Sequence, residues 1–231
     1  GKSCVSLTGA QAGILTDSVH GAARILSIDT ARIMRELDAG KIVVAAGFQG
    51  AERGGDTTTL GRGGSDTTAV ELAAALKADR CEIYSDVDGI YTADPRLVTG
   101  AVRLDSIDYG DMLHLALHGS QVLHSRSVEA AMRANVRVHL LSSFTRHEGT
   151  VMCKLDDRPG LCGVTRDSSL GTVSIIGREA DAHVLAEAVA ALAHSDIIVT
   201  RTELFDGGCS LFVSPDRLLP ALEITHRRFF R

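Results

Sequence analysis

The sequence predicts an α/β protein: a mostly parallel sheet sandwiched by helices, followed by a smaller ferredoxin-like module of order βαββα. Three observations carry that expectation. Up to residue 143, short apolar runs of strand length alternate with stretches of helical apolar spacing, the pattern of a parallel sheet. Over 144–164 ("FTRHEGTVMCKLDDRPGLCGV") the periodicity stops and Gly, Pro and charged residues gather. Beyond it the pattern reads strand, helix, strand, strand, helix, one strand short of a complete ferredoxin-like sheet. The expected division is a first domain over 1–148, a linker over 149–164 and an incomplete second module over 165–231.

Each element has its own signal. "CVSLTG" (4–9) alternates weakly and ends in Gly, as a strand does. "SIDTARIMRELDAG" (27–40) opens on Asp and Thr, spaces Ile33 and Leu37 helically and stops at Gly. "KIVVAAGF" (41–48) is continuously apolar and is expected to be a strand buried on both faces. A Gly-rich turn then leads into an Ala/Leu-rich helix from about 66 to 78, and "CEIYS" (81–85) is the next strand. Helices are expected near 108–118 and 125–134, and a strand at "VRVHLLSS" (136–143). In the second module "TVSIIG" (172–177) is a strand and "ADAHVLAEAVAALAHS" (180–195) a helix. "DIIVTRTEL" (196–204) and "CSLFVS" (209–214) form a hairpin around Asp206-Gly207-Gly208, with a turn looser than a two-residue one. "PDRLLPALEITHRRFF" (215–230) is a helix that its second proline should interrupt.

Composition bounds the function. The chain has 231 residues, 45% hydrophobic and 23% charged, enough for a sizeable core. A net charge of −5 argues against a nucleic-acid partner, which calls for a basic stripe. The cluster His226-Arg227-Arg228 with Arg231 is read as a solvated helix end favoured by the helix dipole. Five cysteines without CxxC spacing indicate reduced, mostly buried thiols; neither a disulfide framework nor a metal site is expected. No apolar run reaches the ~18 residues that span a bilayer, and "GKSCVSLTG" has no signal-peptide pattern, so the expected location is cytoplasmic and no membrane partner is expected.

Two loops carry chemistry. In "GRGGSD" (61–66) the glycines let backbone N–H groups approach an anion, and the following helix N-terminus adds partial positive charge. Arg62 can grip a carboxylate through two parallel hydrogen bonds, and Asp66 can cap the helix. A small anionic substrate over this turn is the expectation. The second loop, "SDVDGIYTADPR" (85–96), packs Ser85, Asp86, Asp88, Tyr91, Asp94 and Arg96 into twelve residues at a strand's carboxyl end, where α/β sheets place ligands. It reads as a nucleotide clamp or, in the plainer alternative, a solvated loop of Asx and Pro turns.

These residues, with "GFQG" (47–50), resemble the aspartokinases of the amino-acid kinase superfamily. "SLTGAQAGILTDSVHGAARI" (6–25) and "GSQVLHSRSVEAAMRANVRVHLLSSF" (119–144) extend the resemblance over about residues 3–150. Glutamate 5-kinase and UMP kinase have similar DGxxTADP loops; "LGRGGSDTTA" favours aspartokinase over them. The C-terminal module resembles an ACT domain, the family's usual effector-binding unit. The resemblance implies transfer of phosphate from ATP, with Mg²⁺, to the side-chain carboxylate of L-aspartate, at the start of lysine, threonine and methionine biosynthesis through diaminopimelate. It implies that Arg62, Gly63, Gly64 and Ser65 bind aspartate and that Asp66 organises a catalytic lysine. Tyr84, Ser85, Asp86, Tyr91, Asp94, Arg96 and Gln121 would bind ATP. A feedback amino acid, lysine or threonine, and a homodimer through ACT pairing are the implied partners.

The sequence departs from the family pattern in three places. It contains no Lys-Phe-Gly-Gly phosphate loop, so a fragment with little activity of its own is expected. Gln121 stands where the family usually has a nucleotide-contacting lysine; an amide donates a hydrogen bond but offsets no phosphate charge. One ACT-like module replaces the usual two, and "IIGREADAH" lacks the Asp-x-Pro-Gly turn common at effector sites. Alternative readings are a non-catalytic ligand-binding relative and another superfamily kinase such as glutamate 5-kinase.

Overall fold

A computed structural model describes residues 1–230. The chain begins with β1 (Cys4–Leu7), β2 (Ile14–Thr16), β3 (Ile25–Ile28), α1 (Ala31–Asp38), β4 (Ile42–Ala45), β5 (Gln49–Ala51) and β6 (Thr57–Thr59). Next come α2 (Gly64–Leu76), β7 (Cys81–Ser85), β8 (Ser106–Ile107), α3 (Tyr109–Leu117), α4 (Ser125–Ala134), β9 (Val138–Ser142) and β10 (Thr150–Met152). Last are β11 (Gly163–Asp167), β12 (Thr172–Ile176), α5 (Ala182–Ala193), β13 (Arg201–Phe205), β14 (Gly208–Phe212) and, after one 3₁₀ turn, α6 (Leu218–Phe229). The fold is mixed α/β, with parallel pairs β1–β4, β2–β5 and β8–β10. Among the described residues no helix is long and apolar enough to cross a membrane. Two compact units form: residues 1–83 with 126–138, and 84–125 with 139 onward.

In the first unit β1 runs beside β4 from Cys4↔Ile42 to Leu7↔Ala45. A second sheet has the order β3-β2-β5-β6, with β2–β5 parallel and the outer pairs antiparallel. Leu7, Ala12, Ile14 and Ile33 centre the core, and Val5, Val43, Ala45, Leu72 and Leu76 close around it. α1 turns Ile33 inward and buries Glu36, whose carboxylate meets Lys41 Nζ at 2.7 Å and Arg32 Nε at 2.9 Å. The expectation that 41–48 is buried on both faces is corrected here. Ile42 and Val44 are each 53% exposed, because β1 and β4 form a two-stranded sheet whose alternate side chains turn away from the core.

The second unit centres on an antiparallel sheet of order β11-β12-β14-β13. Val173, Ile175, Leu192, Leu211 and Leu222 are at most 1% exposed in its core; each fully buried aliphatic side chain contributes about 1.5–3 kcal/mol. Asp181 caps α5 by accepting from the His183 and Val184 N–H groups at 2.8 and 3.1 Å. The order β12–α5–β13–β14–α6 follows the sequence pattern. The missing fourth strand is supplied from upstream, because β11 pairs with the free side of β12 from Gly163↔Ile176 to Asp167↔Thr172.

Four further details differ from expectation. The hairpin turn is a two-residue one, since Phe205 pairs with Gly208 and only Asp206-Gly207 lies between them. Its first strand begins at Arg201, not 196. Pro220 leaves α6 intact because it sits in the first turn, where its missing N–H would have had no helical partner. The basic helix end is only partly solvated: His226 is 2% exposed, and Arg228 Nη2 bonds Glu187 Oε2 at 2.7 Å.

Candidate active site

In the first unit the Gly-rich turn becomes the N-terminus of α2. Gly63 takes φ +71° as its N-cap, a left-handed conformation that disfavours any residue with a Cβ. Gly64 is needed for another reason: a Cβ there would stand 2.8 Å from Leu60 Cβ and from Phe48 Cδ2. Phe48, itself at φ +68°, is locked over the helix start. Its N–H donates to Thr68 Oγ1 at 3.1 Å and its carbonyl accepts from Leu60 N–H at 2.9 Å. Arg62 and Ser65 are exposed and Asp66 is half-buried in the first turn. Burial and the nearby Asp66 carboxylate push the Cys81 thiol up to about 11. The result is a helix N-terminus, with the partial positive charge of its dipole, beside an exposed guanidinium.

Arg126 holds this turn in place, and the sequence reading did not single it out. From the first turn of α4 its Nη1 donates to Leu60 O and its Nη2 to Ala23 O, both at 2.6 Å. Ala23 in turn donates to Thr59 O at 3.0 Å. A signal was available: a cation in the first helical turn opposes the helix dipole, so its presence there implies another partner.

In the second unit the loop after β7 is threaded with side-chain bonds. Ser85 Oγ donates to Asp86 Oδ1 at 3.0 Å, and Tyr91 OH to Asp88 Oδ1 at 2.9 Å. His147 Nδ1 lies 2.9 Å from Asp88 Oδ2; nothing in the sequence pairs these two residues. Asp94 accepts from the Arg96 N–H and Nε at 3.0 Å each and from Nη2 at 2.8 Å. Arg96 is largely exposed, and its Nε and Nη2 form a two-point fork on the Asp94 carboxylate. Tyr84 is 60% exposed and Gln121 is exposed. Arg62 to Asp66 are therefore gathered on one turn of the first unit, and Tyr84 to Arg96 on one loop of the second.

The Asp88 carboxyl is held below the ordinary carboxylate range, first by the hydrogen bond to His147 and then, against burial, by that from Tyr91. A depressed folded-state pKa contributes stability that is fully present above the unfolded value of ~3.9 and is lost as pH falls through the folded value. Asp88→Asn is accordingly expected to be less stable than the unaltered protein at pH 7, with the gap closing below about pH 4. Urea midpoints at pH 3, 5 and 7 test this; a gap that stays constant across the series would remove the linkage.

The chain is a mixed α/β protein with a glycine-rich turn at a helix N-terminus in one unit and a polar loop after a strand's carboxyl end in the other. The model of the amino acid kinase family matches residues 1–142, and the chain belongs to that family. It is 57% identical over 152 residues to an aspartate kinase of Stutzerimonas stutzeri (strain A1501), covering 66% of this chain and 37% of that one. Against an aspartokinase of Geobacillus stearothermophilus it is 46% identical over 202 residues, 86% of this chain and 50% of the relative. The chain thus spans half or less of the length of these curated relatives. Among solved structures it resembles E. coli aspartokinase III in complex with aspartate and ADP, with a TM-score of 0.64, 31% identity and coverage of 92% of this chain and 49% of that one. Clostridium acetobutylicum aspartate kinase superposes with a TM-score of 0.76 at 15% identity, over 99% of this chain and 70% of that one, a likeness of fold.

Proposed function

We propose that this chain takes part in ATP-dependent phosphorylation of the side-chain carboxylate of L-aspartate to 4-phospho-L-aspartate. The observation that carries the reading is the α2 N-terminus, where Gly63 caps the helix at φ +71° and Arg62 beside it is exposed to solvent. The aspartokinase relatives support it, as does the neighbour solved with aspartate and ADP. In this reading Arg62 clamps the α-carboxylate, Gly63, Gly64 and Ser65 form the floor, and Asp66 orients the phosphate-gripping lysine of a Lys-Phe-Gly-Gly loop. Tyr84, Ser85, Asp86, Tyr91, Asp94 and Arg96 hold ATP, and Gln121 donates a hydrogen bond to it. The attacking β-carboxylate is ionised at pH 7 and needs no general base; the residues act by positioning and by neutralising charge. Asp86, a hard oxygen donor, would be the residue to meet Mg²⁺ held on the nucleotide's phosphates, and the ion when bound would supply neutralisation of phosphate charge.

Residues 1–148 serve as the kinase portion and 165–231 as an ACT-like regulatory module that binds lysine or threonine and pairs in a homodimer. The setting is cytoplasmic lysine, threonine and methionine biosynthesis. The test is aspartyl hydroxamate formed from ATP, aspartate and hydroxylamine by protein carrying a Lys-Phe-Gly-Gly segment ahead of this sequence. In that protein Arg62→Ala is expected to raise KM for aspartate about tenfold or more, the loss of one charge-assisted contact, with Tm unchanged. No hydroxamate would sink the reading, and an unchanged KM would take Arg62 out of the site.

A further inference from the structure

The loop at 84–96 does not end in solvent. Immediately after Tyr91 the chain enters the core of the C-terminal module: Ala93 and Val98, 4% and 3% exposed, pack in the same cluster as Val164, Val173, Ala221 and Leu222. Thr92 marks the entry. Its N–H donates to Val102 O at 2.9 Å, and its carbonyl accepts from Val164 N–H, the second residue of β11, at 2.7 Å. Its hydroxyl accepts from Val102 N–H at 3.0 Å and meets His226 Nε2 at 2.8 Å. Thr92 is 6% exposed and His226 2%. His226 projects from α6, its ring stacked on Phe230 at 5.3 Å between centroids.

The chemistry of this contact is specific. Since Val102 N–H already donates to Thr92 Oγ1, the arrangement that gives the threonine hydroxyl hydrogen a partner has it donating to an unprotonated Nε2. Burial holds the His226 imidazole below the usual histidine range, which keeps that nitrogen free to accept. A buried hydroxyl deprived of its partner would cost about 1–3 kcal/mol, so the bond discriminates strongly between Thr92 seated and Thr92 displaced. Thr92 directly follows Tyr91 and lies two residues before Asp94, and its position therefore sets where both side chains point.

We propose that His226 is a positioning residue for the nucleotide loop, acting through the hydroxyl of Thr92 to fix Tyr91 and the Asp94–Arg96 pair for nucleotide. The proposal rests on the reading of 84–96 as the nucleotide site. It deepens that reading by assigning a role to a residue 130 positions beyond the loop's last site residue, Arg96.

The experiment measures the affinity of the 231-residue protein for Mg·ADP by calorimetry, and amide hydrogen exchange over residues 84–96, for four variants. Thr92→Val, close in volume but without the hydroxyl, and His226→Leu are each expected to weaken Mg·ADP about fivefold, the equivalent of one neutral hydrogen bond. Both should speed exchange over 84–96. The double variant should be no weaker than either single one, and Thr92→Ser should restore the unaltered affinity. A structural role alone would lower Tm and speed exchange in α6 while leaving Mg·ADP affinity untouched, and that result overturns the proposal. If His226→Leu fails to fold, Thr92→Val against Thr92→Ser decides alone. Absence of Mg·ADP binding by the unaltered protein would overturn the nucleotide reading itself, a different failure from unchanged affinity among the variants.

Discussion

Replacing Arg158 by alanine is expected to lower stability by about 3–5 kcal/mol, the cost of stranding a buried carboxylate, and Tm by roughly 10 °C for a chain of this size. Arg158 lies in the segment 153–162 before β11, and its Nε meets Asp111 Oδ2 at 3.2 Å while Nη2 bonds Oδ1. Asp111 is 0% exposed, in the first turn of α3. The guanidinium also lies 3.6 Å from Asp108 Oδ1. Asp108 caps the same helix by accepting from Gly110 N–H at 2.9 Å, and its other oxygen accepts from Leu155 N–H at 3.1 Å. One arginine thus ties the segment before β11 to two carboxylates at one helix start. Removing the stranded charge as well should recover much of the loss, so Arg158→Ala with Asp111→Asn is expected to be more stable than Arg158→Ala alone. Chemical denaturation of the two variants is the measurement. A single variant within 1 kcal/mol of the unaltered protein would show that water, not Arg158, compensates Asp111.

The second large effect is expected at Arg126. Arg126→Ala removes two charge-assisted bonds, to Leu60 O and Ala23 O, and a loss of about 3 kcal/mol follows from typical values for such bonds. The consequence should be local as well as global, since Leu60 leads directly into Gly61–Gly64. In the kinase reading this variant raises KM for aspartate and lowers Tm together, whereas Arg62→Ala raises KM with Tm intact. Arg126→Lys should fall between, because an ammonium cannot span two carbonyls with a planar fork. If Arg126→Ala and the unaltered protein melt together, the turn is held by other contacts.

The difference between those two arginines explains what could be read from the sequence. Arg62 sits inside a motif whose glycines mark a turn into a helix, and the structure has that helix start at Gly64, two residues ahead of the expected position. Arg126 acts across 66 and 103 residues of chain, and no local pattern encodes such a bond. Elements set by their own periodicity, such as α3, α4 and α5, were legible to within a few residues. What depended on a neighbour was not. The exposure of Ile42 and Val44 follows from how many strands flank β4, and the fourth strand of the C-terminal sheet lay in a segment whose Gly-Leu-Cys-Gly beginning masked it. Likewise His226, read from its charged neighbours as solvated, is buried because Thr92, 134 residues away, meets it there.

The placement of β11 has a consequence for chain order. A βαββαβ unit puts its last strand against the free edge of its first; here that berth beside β12 is taken by Gly163–Asp167, which precedes it. The C-terminal sheet is thus a natural circular permutant, with its closing strand moved from tail to head. An excised module would have to start before Gly163 to keep four strands, and one started at Val173 would expose the edge of its own central strand. Moving Gly163–Asp167 behind α6 on a short linker would restore the conventional order around an unchanged core.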